Sequence, residues 1–261
     1  MESGVKFLVL GAIPFIIDKT KKELRQFNRQ EFAIPFDDLK LEGNNYTYQW
    51  KTIDHNQRGS IAAGNIPEKI INLTIPSLII EDEKPMVKIL IDALNALSLR
   101  KLWNFFIADE SLAMRLSGQL PTIDLAGTNF TIDWRLRELR ETEKPWNHLN
   151  FEHMKEARRG EGYKFLYDIK KHTIYQPDEN LLNLPEDILL LEIPDEMKLD
   201  PVAVARDCGL GLTDLLIDFP FRMESTSKNI PLGESQLPDF IENNLKRLDG
   251  NDNKRSSKRG R

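Results

Sequence analysis

The sequence predicts an α+β protein made of two tandem related modules, each a small antiparallel sheet with helices packed on one side. Three observations carry this reading. A stretch of 25 residues recurs at a fixed shift, short β-branched and aromatic segments alternate with turn residues, and a helix opening on proline follows the strands of each copy. The first copy takes about 1–117, including a linker helix. The second takes 118–248, and 249–261 is a basic tail without one apolar residue, expected to be disordered.

The repeat is read by setting Phe15–Leu39 beside Phe130–Met154, a shift of 115 without gaps. Seven of the 25 pairs are identical: Phe15/Phe130, Ile17/Ile132, Asp18/Asp133, Glu23/Glu138, Leu24/Leu139, Arg25/Arg140 and Phe36/Phe151. Ordinary residue frequencies give about one or two by chance. With small gaps the match extends outward. Leu10-Gly11 corresponds to Ala126-Gly127, Tyr46–Trp50 to Tyr163–Tyr167, and Leu73–Pro76 to Leu191–Pro194. Pro85 and Pro201 then open a helix in each copy.

The elements follow in order. Lys6–Leu10 and Pro14–Ile17 are short apolar strands punctuated by Gly11, and a polar turn leads to a third strand around Glu23-Leu24-Arg25. Tyr46–Trp50 alternates aromatic with polar, the period of a half-buried strand, and Ile70–Ile75 is a strand ended by Pro76. Their counterparts are Thr122–Leu125, Asn129–Ile132, Lys164–Tyr167 and Ile188–Ile193. Pro85–Met114 reads as a long apolar-rich helical stretch, and Asp109–Leu116 as a helix stopped at Ser117-Gly118. In the second copy Asp200 caps a helix broken at Gly209-Leu210-Gly211. Thr213–Ile217 reads as a short helix, and a last helix runs from Ser235 to Leu248.

Charge is unevenly spread. Residues 1–119 hold 15 basic and 15 acidic side chains, 120–253 hold 16 and 26, and the last eight add five basic ones. A neutral-to-acidic body is ill suited to wrap duplex nucleic acid, whose phosphates demand clustered cations. With 40% apolar and 30% charged residues the 261-residue chain packs a core, which excludes a disordered protein. The uncharged apolar runs are far shorter than the roughly 20 residues that span a bilayer. Met1-Glu2-Ser3-Gly4 lacks the features of a signal peptide, and Cys208 stands alone, so a cytoplasmic protein is expected.

No catalytic, cofactor-binding or metal-ligating set is recognised. The histidines His55, His148, His153 and His172 are scattered, and Gly209-Leu210-Gly211 lacks the context of a phosphate loop. Asp168-Ile169-Lys170 resembles the end of a metal-nuclease pattern in letters only. The repeated Asp18/Asp133, Glu23/Glu138 and Arg25/Arg140 read either as a ligand site kept twice or as cross-strand pairs that close the same turn twice. Aromatic residues supply the candidate protein-binding set: Trp103 and Phe106 on the linker helix, Trp134 and Trp146 in the second copy. Packing between the modules is their other reading. Lys254, Arg255, Lys258, Arg259 and Arg261 form a candidate contact to nucleic acid or an acidic surface, or a solubilising extension.

The phrases Leu120–Gly127, Phe130–Asp133, Glu138-Leu139-Arg140 and Ile193–Pro201 resemble uncharacterised proteins of Bacteroidetes mobile and conjugative elements. The resemblance covers most of the second copy and the first more loosely. It implies a bacterial cytoplasmic setting and assigns no site residue. The expected function is a non-catalytic binding or adaptor protein with a protein partner, no cofactor and no membrane. The alternatives are an accessory nucleic-acid-binding protein acting through the tail and an enzyme with a cryptic acidic site.

Overall fold

The computed structural model describes residues 7–53, 68–82, 86–156 and 161–258, except the side chains of 52–53, 68–69 and 249–258. The fold is α+β. Two compact units result, Met1–Gln119 with Pro201–Met223, and Leu120–Asp200 with Glu224–Arg261.

In the first unit the chain forms β1 (Phe7–Leu10), β2 (Ile13–Asp18), β3 (Glu23–Gln26), β4 (Ala33–Pro35), β5 (Lys40–Glu42), β6 (Asn45–Ile53) and β7 (Glu68–Pro76). Helices α1 (Ser77–Glu81) and α2 (Lys88–Lys101), strand β8 (Phe105–Ala108) and helix α3 (Glu110–Leu116) follow. These strands make two sheets, ordered β4-β3-β2-β1-β8 and β5-β6-β7. Gly11 and Ala12 join β1 to β2 with φ of 53° and 79°. A two-residue hairpin loop needs this left-handed pair, which matches the strand twist. Leu8, Leu10, Phe15, Leu24 and Ile34 of the larger sheet pack with Leu73 and Ile75 of β7 and with Ile79, Ile80, Ile91 and Leu94 of the helices. The opposite face, Phe7, Val9, Phe106 and Ala108, is covered by Leu112 and Ala113 of α3 and by Val202 and Leu216 from the 201–223 stretch.

Strand β8 corrects the expected run of helix from Pro85 to Met114. Helix α2 stops at Lys101 because Leu102 turns left-handed at φ 55°, and Asn104 does so again at φ 60°. Phe105–Ala108 is buried on both faces, so it shows no alternation and reads in sequence as more helix. Trp103 and Phe106 therefore lie beyond the helix, and Phe106 is in the sheet. Pro85 lies outside the described residues.

The second unit begins with β9 (Thr122–Leu125), β10 (Thr128–Asp133), β11 (Glu138–Glu141), β12 (His148–Asn150), β13 (Lys155–Glu156), β14 (Tyr163–Asp168), β15 (Thr173–Ile174), β16 (Ile188–Ile193) and α4 (Glu196–Leu199). The chain then gives α5 (Pro201–Asp207) to the first unit and returns with β17 (Glu224–Thr226), β18 (Lys228–Ile230) and α6 (Leu237–Lys258). The sheets run β12-β11-β10-β9-β17 and β13-β14-β16-β18, with β15 pairing β14. The 201–223 stretch, read from sequence as part of the second copy, is thus part of the first unit.

Registers agree between the units residue for residue. Phe15 pairs with Gln26 and Asp18 with Glu23; 115 positions on, Phe130 pairs with Glu141 and Asp133 with Glu138. In the smaller sheets Tyr46 faces Ile75 and Tyr48 faces Leu73, as Tyr163 faces Ile193 and Phe165 faces Leu191. The closing strands differ, since β8 runs antiparallel to β1 and β17 parallel to β9. Thr213–Ile217 is a run of turns, not the expected helix, with bonds such as Asp214 N to Gly211 O and Leu216 N to Thr213 O. Helix α6 continues to Lys258, through residues whose composition predicts no structure.

Candidate functional site

The repeated polar trio closes a turn in both units. In the second, Asp133 accepts the Leu136 N–H at 3.2 Å and the Arg140 guanidinium at 2.5 Å, while Arg140 also lies 3.5 Å from Glu138. In the first, Asp18 accepts the Lys21 N–H at 3.0 Å, and Arg25 pairs with Glu23 and lies 3.8 Å from Asp18. Each carboxylate caps its turn and each cation is shared between two acids.

Of the aromatic candidates, burial removes two. Phe106 is 7% exposed and Trp134 is 6% exposed, so neither presents a face to a partner. Trp134 instead packs against Phe151 at 5.2 Å and carries the Arg137 guanidinium 3.9 Å over its ring. Trp103 is half-buried, stacked on Phe105 and packed at the edge of the first unit's core. Trp146 alone stands out, at 76% exposure on the loop between β11 and β12. Lys254, Arg255 and Lys258 fall on α6, their side chains outside the description; Arg259 and Arg261 lie outside the described residues.

The Trp146 loop is fastened from beneath. Glu141 N donates to Asn147 O at 2.9 Å, Asn147 N to Lys144 O at 2.8 Å, and Thr142 N to Asn129 O at 2.9 Å. The Glu141 side chain is buried. It receives Asn147 Nδ2 at 2.7 Å, Lys144 Nζ at 3.4 Å and His172 Nδ1 at 3.2 Å. Asn147 Nδ2 also reaches His172 O at 3.1 Å. The Asn147 amide, with help from His172 and Lys144, holds the Glu141 carboxyl below its ordinary range against the opposing effect of burial.

His172 ends a tight turn. Its N–H bonds Asp168 O at 2.8 Å and its φ is +56°. Asp168 accepts the N–H groups of Lys170 and Lys171 at 3.0 and 2.9 Å, which lowers its carboxyl pKa, the Lys171 bond most of all. The Asp168-Ile169-Lys170 pattern is therefore a turn cap. On the other side of the imidazole, Nε2 lies 3.4 Å from Thr128 Oγ1. The Tyr167 hydroxyl is buried beside Thr128 without a well-formed hydrogen bond among the described residues, and burial pushes its pKa up to about 12.

Among the described residues, the first unit builds the same hairpins without this network. At the positions of Thr128, Glu141, Asn147 and Tyr167 it has Ile13, Gln26, Phe32 and Trp50. Phe15 meets Trp50 edge to face at 5.6 Å, as Phe130 meets Tyr167 at 6.4 Å. The counterpart of His172 at a shift of 117 is His55, outside the described residues. Reading from one chain direction misses the set, because its members sit on three separate turns. Comparison of the two units exposes part of it, as Ile13 and Phe32 of the first stand opposite Thr128 and Asn147 of the second.

Among the described residues no three His, Cys, Asp or Glu side chains gather to hold a metal ion, and no helix is long and apolar enough to cross a membrane. No family model, no curated protein and no solved structure matches the chain.

Proposed function

We propose that the chain is a tandem duplication whose second copy serves as a protein-binding module, docking through the Trp146 loop. The carrying observation is a large aromatic side chain left 76% exposed on a loop fixed by a buried carboxylate network. An exposed tryptophan on a rigid loop buries much area on binding and loses little conformational freedom, the property of an interface anchor. The matched registers support the duplication, and the first copy's Glu31 in place of Trp146 restricts the anchor to the second. In this reading the partner is a protein of the bacterial cytoplasm, the setting the resemblance implies.

The test is capture of partners from the native host by the tagged full chain and by Trp146→Ala. Loss of an anchor costs at least about 2 kcal/mol, so the major captured protein falls roughly 30-fold. Undiminished capture by the variant overturns the reading. The basic run Lys254–Arg261 carries a second reading, accessory contact to nucleic acid. Salt-sensitive retention on DNA that disappears with residues 254–261 favours it.

A further inference from the structure

The network under the Trp146 loop has an order that loop fastening does not require. A buried carboxylate, Glu141, faces Nδ1 of His172, and a hydroxyl, Thr128 Oγ1, faces Nε2. A carboxylate can only accept, so the proton of the neutral imidazole sits on Nδ1 and the Nε2 lone pair is directed at the hydroxyl. Glu141 stays ionised, held by Asn147 at 2.7 Å. This is the carboxylate–imidazole–hydroxyl arrangement that activates a nucleophile, recognised by geometry and not by residue order. The 3.4 Å contact is long, as such contacts are before substrate binds.

One further observation separates it from a structural tie. The same hairpins stand in the first unit with Ile13 for Thr128 and Gln26 for Glu141, so the fold does not need the set.

We propose that Thr128 is a nucleophile for acyl transfer, with His172 as its general base and Glu141 as the residue that positions and polarises His172. This goes beyond the binding reading and revises its non-catalytic part. In the step, the Thr128 Oγ–H proton passes to His172 Nε2 as Oγ bonds the acyl carbon. The tetrahedral adduct collapses with cleavage of the bond to the leaving oxygen, which takes the proton from Nε2. Water, deprotonated by the same imidazole, then hydrolyses the Thr128 ester and restores the hydroxyl. The leaving oxygen takes up the imidazole proton, so the substrate class is a carboxylic ester.

The probe is p-nitrophenyl acetate on the full chain, with the acylated residue located by peptide mass spectrometry. Acetylation of Thr128 is expected, absent in Thr128→Val and slowed about 100-fold in His172→Gln, the lower end for loss of a general base. Glu141→Gln slows it less. Thr128→Val retains the fold because Ile13 occupies the same place in the first unit, and a thermal melt verifies this. Acetylation confined to other residues, no acetylation, or an equal rate in His172→Gln overturns the proposal.

Discussion

At the scale of single residues, burial separates chemically identical pairs. Asp133 is only 10% exposed at its side chain and meets Arg140 at 2.5 Å, whereas Asp18 is 26% exposed and lies 3.8 Å from Arg25. Asp133→Ala is therefore expected to cost about 1–2 kcal/mol and Asp18→Ala at most about 0.5 kcal/mol, measured by urea unfolding. Equal losses would show that the two turns are not graded by burial. Glu141 and Asp168 add a pH dependence. Both carboxyls are held below their ordinary range in the folded chain, so the unfolded chain takes up protons first as pH falls. Their contribution is complete above the usual carboxylate range and disappears as pH drops through their folded values. Glu141→Gln should flatten this acid limb while lowering stability at neutral pH. Tyr167 gives the opposite limb: raised from 10.0 to about 12, it takes stability away as pH rises between those values, and Tyr167→Phe removes that loss. The identities of these residues were plain in the sequence, but their partners were not. Thr128, Glu141, Asn147 and His172 are brought together by three turns, and single-residue spacing carries no record of that.

At the scale of elements, alternation and turn chemistry located strands that have one wet face, and failed where a strand has none. Thr122–Leu125 was legible because its half-buried and buried positions alternate, and Tyr46–Trp50 because aromatic and polar residues alternate along it. Phe105–Ala108 was not, since both of its faces are buried and it follows a helix. Its outer edge shows how the structure accommodates it. Asn95 Nδ2 donates to Ile107 O at 3.0 Å and its Oδ1 accepts Ile107 N at 2.7 Å. One helical turn on, Ser98 Oγ donates to Phe105 O at 2.6 Å and accepts Phe105 N at 3.2 Å. Helix α2 thus supplies β8 with the hydrogen bonds that a further strand would, and closes that edge to another chain. Asn95→Ala strands both backbone groups of Ile107 in a buried place, at an expected cost of about 2–3 kcal/mol. A loss under about 0.5 kcal/mol in chemical denaturation would mean that water reaches that edge.

At the scale of the whole molecule, the chain leaves the second unit after Asp200, completes the first with 201–223, and returns at Glu224. Sequence order hides this, because the stretch follows the strands of the second unit directly and its apolar pattern names no target. Val202 is fully buried against Phe7, Val9 and Phe106, so Val202→Ala should cost about 2 kcal/mol and speed amide exchange in β1 and β8. Faster exchange confined to β9 and β10 would assign the stretch to the other unit. The proposed duplication and the proposed docking loop are both open to one variant. Pro145 and Trp146 correspond to Gln30 and Glu31 in a loop with the same bonds, Gln26 N to Phe32 O and Glu141 N to Asn147 O. Partner binding by Pro145→Gln/Trp146→Glu, measured beside its thermal melt, tests the account most directly. Equivalent loops exchange these residues with a change in melting temperature of about 3 °C or less, and an anchor on this loop is lost with them, so binding falls at least about 30-fold. A variant that unfolds, or one that binds its partner as the parent does, contradicts the account.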